Sequence, residues 1–413
     1  MKEKNIKPGF DELRYVRRRN RGLFWSTGVF SFFVNMLMLT GPLYMMQVYD
    51  RVLGSRSEAT LVALSLLVVF LYGMMGLLDY ARGRILARAG ARFQAALDQR
   101  VFDAMIRRSA VARDPVAQTG LSDLESIQRL ISSPVLGAAF DLPWTPVFLA
   151  GIALFHPWLG LLALGGGAVL IGIALLNQLL SRTPLQKANM AGDKASLMSE
   201  EIRTEAEMIQ SMGMRGAAFG RWKQGRDAAL TDSVTANDTG GGFTTLTKTL
   251  RLFLQSAMLG LGAYLVLQGE VTPGAMIAGS ILMGRALAPI ELGLGQWAMV
   301  QRALKGWHSL AELLAKVPEE AERTALPKPK ALLEVQGMAV VPPGSKTPLL
   351  RNVSFRVQPG QAIGVIGPSG SGKSTLARAL PGRKSAAAGT GRELGGRRIQ
   401  YKPDVLGGHI GYL

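Results

Sequence analysis

The chain has 413 residues, of which 48% are hydrophobic, and a formal net charge of +18. It contains no cysteine and three histidines, His156, His308 and His409, so disulfides, thiolate chemistry and cysteine-ligated zinc are excluded and a histidine metal cluster is not expected. An apolar content this high argues for a membrane portion, in which the basic excess fixes orientation. No basic stripe interleaved with aromatics argues for a nucleic-acid partner, and none is expected.

In chain order, a tail of residues 1–21 carries eight Lys/Arg against three Asp/Glu. No charge falls within residues 22–49, a run of 28, whereas a bilayer-crossing helix needs only about 20 residues. Asp50-Arg51 follows instead of a small-residue cleavage site, so this is a first span and not a secretory leader. Residues 59–78 make a second uncharged run, and residues 142–181 a third that is twice as long. His156-Pro157-Trp158-Leu159-Gly160 interrupts the long run, which predicts a helical hairpin with a tight turn. Residues 252–269 supply a fifth span, and 271 to about 291 a weaker sixth that contains Arg285. Arg285 and Glu291 in that stretch either face a cavity or partner, or lie near the cytoplasmic end and snorkel.

The connections alternate in charge. Segment 79–134 has nine Lys/Arg against six Asp/Glu and segment 182–251 ten against eight, whereas the opposite connections carry almost none. The positive-inside rule then places the N-terminus, both long loops and the C-terminal segment in the cytoplasm. The six-span domain is expected over residues 22–315, with a Pro/Glu/Lys-rich linker at 316–331.

A new domain begins near residue 332. Residues 332–341 and 353–357 read as strands, and 361–366 as a third with the apolar run of a buried strand. It leads into Gly367-Pro368-Ser369-Gly370-Ser371-Gly372-Lys373-Ser374-Thr375, a G-x-x-x-x-G-K-S phosphate loop (Walker A) with a helix opening behind it. Glycines let successive N–H groups turn inward to ATP phosphates, Lys373 reaches the β- and γ-phosphates, and Ser374 offers its hydroxyl to Mg2+.

Six spans and a P-loop domain resemble a half-transporter of the ATP-binding cassette (ABC) exporter superfamily. The fold class is a membrane all-α six-helix ABC exporter transmembrane domain, followed by a partial α/β P-loop nucleotide-binding domain over 332–413. Met45-Met46-Gln47-Val48-Tyr49-Asp50-Arg51-Val52-Leu53, Glu58-Ala59-Thr60-Leu61, Asp141-Leu142-Pro143-Trp144-Thr145-Pro146 and His156-Pro157-Trp158-Leu159-Gly160 narrow the likeness to type I secretion ATPases. So do Pro342-Pro343-Gly344, the stretch 364–378 and His409-Ile410-Gly411-Tyr412-Leu413. The resemblance implies a multi-pass protein of the bacterial inner membrane, in contact with membrane lipid. It also implies a homodimer, a periplasmic membrane-fusion adaptor, an outer-membrane channel and a secreted protein substrate. An ABC exporter of a peptide, lipid or small molecule is the alternative, and a non-catalytic nucleotide-binding membrane fragment a third reading.

The sequence departs from that family in three places. The family's signature, Walker B carboxylates and switch His are absent, so no catalytic residue is assigned, and these 413 residues are expected to be truncated within the nucleotide-binding domain and not to turn over ATP. Residues 381–399 are rich in Gly and Arg with almost no strand propensity, which reads either as compensating frame slips or as a divergent disordered loop. Val340-Val341-Pro342-Pro343 offers no aromatic to stack on adenine.

Overall fold

The computed structural model describes residues 2–111, 114–319, 332–341, 347–380, 386–393, 396–397, 405 and 407–411. Helix α1 (Lys2–Arg19) opens the chain, followed by α2 (Arg21–Met38), α3 (Thr40–Gln47), a π-turn at Val48–Val52 and α4 (Leu53–Ser55). Then come α5 (Glu58–Val111), α6 (Pro115–Ile131), α7 (Pro134–Asp141), a 3-10 turn at Leu142–Trp144, α8 (Thr145–Phe155) and α9 (Pro157–Thr204). The helical part closes with α10 (Ala206–Ser211), α11 (Arg215–Leu267), α12 (Pro273–Gly295) and α13 (Trp297–Lys316).

Among the described residues six helical stretches are long and apolar enough to cross a bilayer, the number predicted. Helices suit this setting because each satisfies its backbone polar groups internally, where hydrocarbon offers no partner. Segments 79–134 and 182–251, read as loops, are instead largely helix. Helices α5, α9 and α11 run for 54, 48 and 53 residues, and at 1.5 Å per residue each extends about 70–80 Å, over twice the hydrocarbon thickness. Hydropathy marks where charges resume, but Ala, Arg, Gln and Glu continue a helix into water without a break.

The chain forms two compact units. One comprises Arg19–Phe93 and Ser126–Leu304. Its core joins Phe148 and Ile152 of α8, Leu159, Ala163 and Leu170 of α9, Leu254, Met258 and Leu265 of α11, and Leu282, Met283, Ala286 and Leu287 of α12. Half of the span window of α12 is buried, against none of α5, which makes α12 central and α5 peripheral. Small residues set the spacing: a Cβ on Gly166 would stand 2.7 Å from Leu254, and one on Gly262 2.6 Å from Met276. The predicted turn at 156–160 is a single extended residue, His156, whose Nδ1 accepts the Trp158 N–H at 3.2 Å while Pro157 opens α9.

The other unit comprises Met1–Arg18, Gln94–Glu125 and Lys305–Leu413. The predicted tail is α1, which is seated on α13. Phe10 meets His308 edge-on at 5.3 Å, Arg17 lies over Trp307, and Leu13 is fully buried. Arg100 binds Glu12 at 2.8 Å and the Val317 carbonyl at 2.6 Å. Part of the predicted linker, including residues 327–330, lies outside the described residues.

In the same unit β1 (Leu333–Val340), β2 (Leu350–Val357), α14 (Lys373–Ala379), β3 (Ala386–Glu393) and β4 (Gly396–Arg397) give a sheet of order β2-β1-β3-β4, antiparallel throughout. Two expectations are corrected. Residues 361–366 form no strand and are exposed; a buried strand needs neighbours on both edges, and no described segment pairs with this one. Residues 386–393, expected to lack strand structure, pair with β1. The open edge of β1 presents a ladder of N–H and C=O groups that backbone alone can fill, so tertiary pairing overrides side-chain propensity.

A Cβ on Gly9 would stand 2.0 Å from the Ala311 carbonyl oxygen. Gly9→Leu should therefore lift α1 off α13 at a cost of about 1–3 kcal/mol. Faster tryptic cleavage among Arg14, Arg17 and Arg18 and a lower melting temperature in detergent are the expected readouts; an unchanged cleavage pattern would refute the contact.

Candidate functional site

The phosphate-loop residues form one tight turn. Gly370 and Gly372 hold positive φ angles of 82° and 92°, a region that only glycine enters freely. A Cβ on Gly372 would also stand 2.7 Å from Leu350 of β2, so that glycine is required twice. The Ser371 N–H donates to the Pro368 carbonyl at 3.3 Å, closing the turn through Ser369 and Gly370. Lys373 opens α14 and folds its ammonium back over the loop, donating to the carbonyls of Gly367 at 2.6 Å and Pro368 at 2.8 Å. Ser374 is exposed on the first turn of the helix, and Thr375 is half-buried behind it.

The scaffold under this turn is small. Leu376, Ala379 and Leu380 of the α14 segment pack against Val335, Met338 and Val340 of β1 and Leu350, Val353 and Phe355 of β2. Glycines at the strained positions, a cation already reaching across the mouth and a hydroxyl at the helix start fit a magnesium nucleotide's phosphates. Pro342 and Pro343, part of the stretch without an aromatic for adenine, lie outside the described residues, as do Tyr412 and Leu413.

The membrane unit holds polar sites whose roles its sequence motifs did not disclose. Asp141, which begins the Leu142-Pro143-Trp144 turn, accepts at Oδ1 from Ser31 at 2.9 Å, Asn35 at 2.7 Å and Arg82 at 2.7 Å. Arg82 also binds the Ser31 hydroxyl and Asp79, each at 2.7 Å. The side chains of Arg82 and Asp141 keep only 12% and 13% of their exposure, so one largely shielded pair ties α2, α5 and α7. Asp50, in the π-turn, accepts the Gly274 N–H and the Thr272 hydroxyl, both at 2.8 Å, and so caps α12 from outside. Glu270 reaches His156 at 3.0 Å.

The two flagged charges of the sixth span separate. Glu291 lies 2.7 Å from Arg251 Nε of α11. The approach is too oblique for a hydrogen bond, since that nitrogen makes none, so charge attraction holds the pair. Arg285 is exposed and has no ion pair or hydrogen bond among the described residues.

In the other unit Asp114 joins three helices. It accepts Arg108 Nε of α5 at 2.8 Å, caps α6 through the Val116 N–H at 3.1 Å, and lies 3.7 Å from Lys316 of α13. The Arg108 hydrogen bond holds its carboxyl below the ordinary range; burial opposes that, and the Val116 N–H and the Lys316 charge reinforce it.

The chain matches the ABC transporter transmembrane region over residues 24–288 and the ABC transporter family over 350–413. It is 39% identical over 394 residues to the type I secretion system ATP-binding protein PrsD of Rhizobium meliloti, covering 95% of this chain and 68% of PrsD. It is 26% identical over 372 residues to the leukotoxin translocation ATP-binding protein LktB of Mannheimia haemolytica, covering 87% of this chain and 52% of LktB. A solved bacterial Atm1-family ABC exporter with ATP bound superposes with a TM-score of 0.69 at 17% identity, over 94% of this chain and 70% of that one, which speaks to the fold alone. The chain therefore belongs to the ABC transporter family, as a multi-pass membrane protein homologous to the type I secretion ATP-binding proteins. It spans about two thirds of PrsD and about half of LktB.

Removing Asp141 strands a buried arginine, a loss of about 3–5 kcal/mol, moderated here by Asp79. Asp141→Ala should lower the melting temperature far more than Arg82→Met/Asp141→Leu together; equal losses would show that the pair is not coupled. The lowered Asp114 titration means that its stabilisation is complete above the ordinary carboxylate range and is lost as pH falls toward its folded value. Asp114→Asn keeps a capping side chain but should flatten the acid limb of the stability profile, which thermal unfolding across the acid range would measure.

Proposed function

We propose that this chain is the membrane-spanning, nucleotide-binding part of a type I secretion exporter, coupling ATP binding and hydrolysis to the passage of a secreted protein. The observation that carries the reading is a G-x-x-x-x-G-K-S loop, curved by glycines at positive φ, on the same chain as six candidate spans, within a sequence 39% identical to a type I secretion ATP-binding protein. Gly367, Ser369, Gly370, Ser371 and Gly372 present backbone N–H groups to the phosphates, Pro368, which has no N–H, holds the bend between them, and Thr375 supports the turn from behind. Lys373 exchanges its two carbonyl partners for phosphate oxygens, and Ser374 offers its hydroxyl to Mg2+. Bound ATP would supply the free energy for transport.

The basic segments 1–21, 79–134 and 182–251 support cytoplasmic termini in a bacterial inner membrane. The homology supports action as a homodimer with a periplasmic adaptor and an outer-membrane channel.

Fluorescent-nucleotide titration should show magnesium-dependent binding that weakens at least tenfold in Lys373→Ala, a charge-assisted contact being worth about 1.5–3 kcal/mol. Unchanged binding would overturn the site. Co-purification of a periplasmic adaptor from inner membranes tests the secretion assignment.

A further inference from the structure

Arg285 is the one charge singled out in the sixth span for which the described residues supply no answer. Helix α12 begins at Pro273, which puts Arg285 about 18 Å along a helix rising 1.5 Å per residue. In a hydrocarbon core about 30 Å thick that is close to mid-depth, too far from either face for a side chain to snorkel out. Exposure to lipid at that depth is costly, so the guanidinium belongs in a water-filled path or against a partner group.

The surroundings of Arg285 favour a path that binds anions. Leu282, Met283, Ala286 and Leu287 are buried on the packed sides of α12, while Arg285, Ala288 and Leu292 lie on one exposed stripe at helical spacing. Gln255 of α11 stands at the same level: a Cβ on Gly284 would lie 2.4 Å from its Nε2. Its amide makes no hydrogen bond among the described residues. Glu291, the nearest acid on the helix, is already held by Arg251. A guanidinium, with an unbonded carboxamide against the neighbouring residue Gly284, supplies donors for carboxylates.

We propose that Arg285, with Gln255 at the level of the adjoining Gly284, lines the transport path and binds the carboxylates of acidic segments of the polypeptide in transit. The proposal rests on the export reading above. The chain reconstituted in lipid nanodiscs is titrated with a fluorescein-labelled Asp-rich peptide and with its Asn-substituted counterpart, read by anisotropy at low salt. The parent should bind the acidic peptide about tenfold more tightly, equivalent to about 1.4 kcal/mol. Arg285→Gln should remove most of that preference, Arg285→Lys should keep it, and Gln255→Ala should reduce it two- to threefold. Retention of charge preference in Arg285→Gln, or equal binding of both peptides by the parent, overturns the proposal and leaves the export reading standing. Binding of neither peptide overturns both. Dissociation of paired copies in Arg285→Gln with peptide preference unaltered assigns the guanidinium to contact between copies and also overturns it.

Discussion

A charge packed between helices has to be answered, and the Arg82–Asp141 pair is where this protein meets that demand most fully. The carboxylate takes three donors from two other helices, and the arginine takes a hydroxyl and a second acid besides. Because each group would be expensive alone at such low exposure, α2, α5 and α7 cannot separate there without stranding one of them. That fixes the point at which the chain turns through Leu142–Trp144 into α8, and from α8 inward the packing is apolar, through α9 and α11 onto α12. The motif beginning at Asp141 thus has a physical content, a carboxylate placed where a turn and a buried cation meet.

The same logic recurs with different partners. Asp50 caps α12 from a π-turn, a local irregularity that lets its carboxylate face the backbone of Gly274 and the hydroxyl of Thr272. Asp114 does comparable work in the other unit, with one carboxylate engaging the end of α5, the start of α6 and the end of α13. Arg285 breaks the pattern: it has no partner among the described residues, whereas Glu291, the other charge of the sixth span, is paired with Arg251.

The phosphate loop shows how much of a site can be local. Its curvature follows from two glycines at positive φ, and the Lys373 ammonium bridges the loop's own carbonyls. A sheet of four antiparallel strands and one short helix is enough to hold it. The apolar residues just before it, Ile363, Val365 and Ile366, stay at least half exposed, so turn geometry here does not depend on a paired strand in front.

Much of the architecture was legible in the sequence because hydropathy and charge act locally. Uncharged runs located the six spans, Pro157 and the glycine spacing located a hairpin and a phosphate turn, and the ordered motifs located the family. Three things were not legible. Helix ends were missed because charged helix formers continue α5, α9 and α11 into water; β3 was missed because an open edge recruits backbone regardless of side chain. The fates of Glu291 and Arg285 were undecided because they depend on which side of α12 meets α11. The sequence by itself determined that charges sit in and beside the spans. Only the tertiary structure decided which are neutralised, since pairing acts through distances of about 3 Å between residues as far apart in the chain as Ser31 and Asp141.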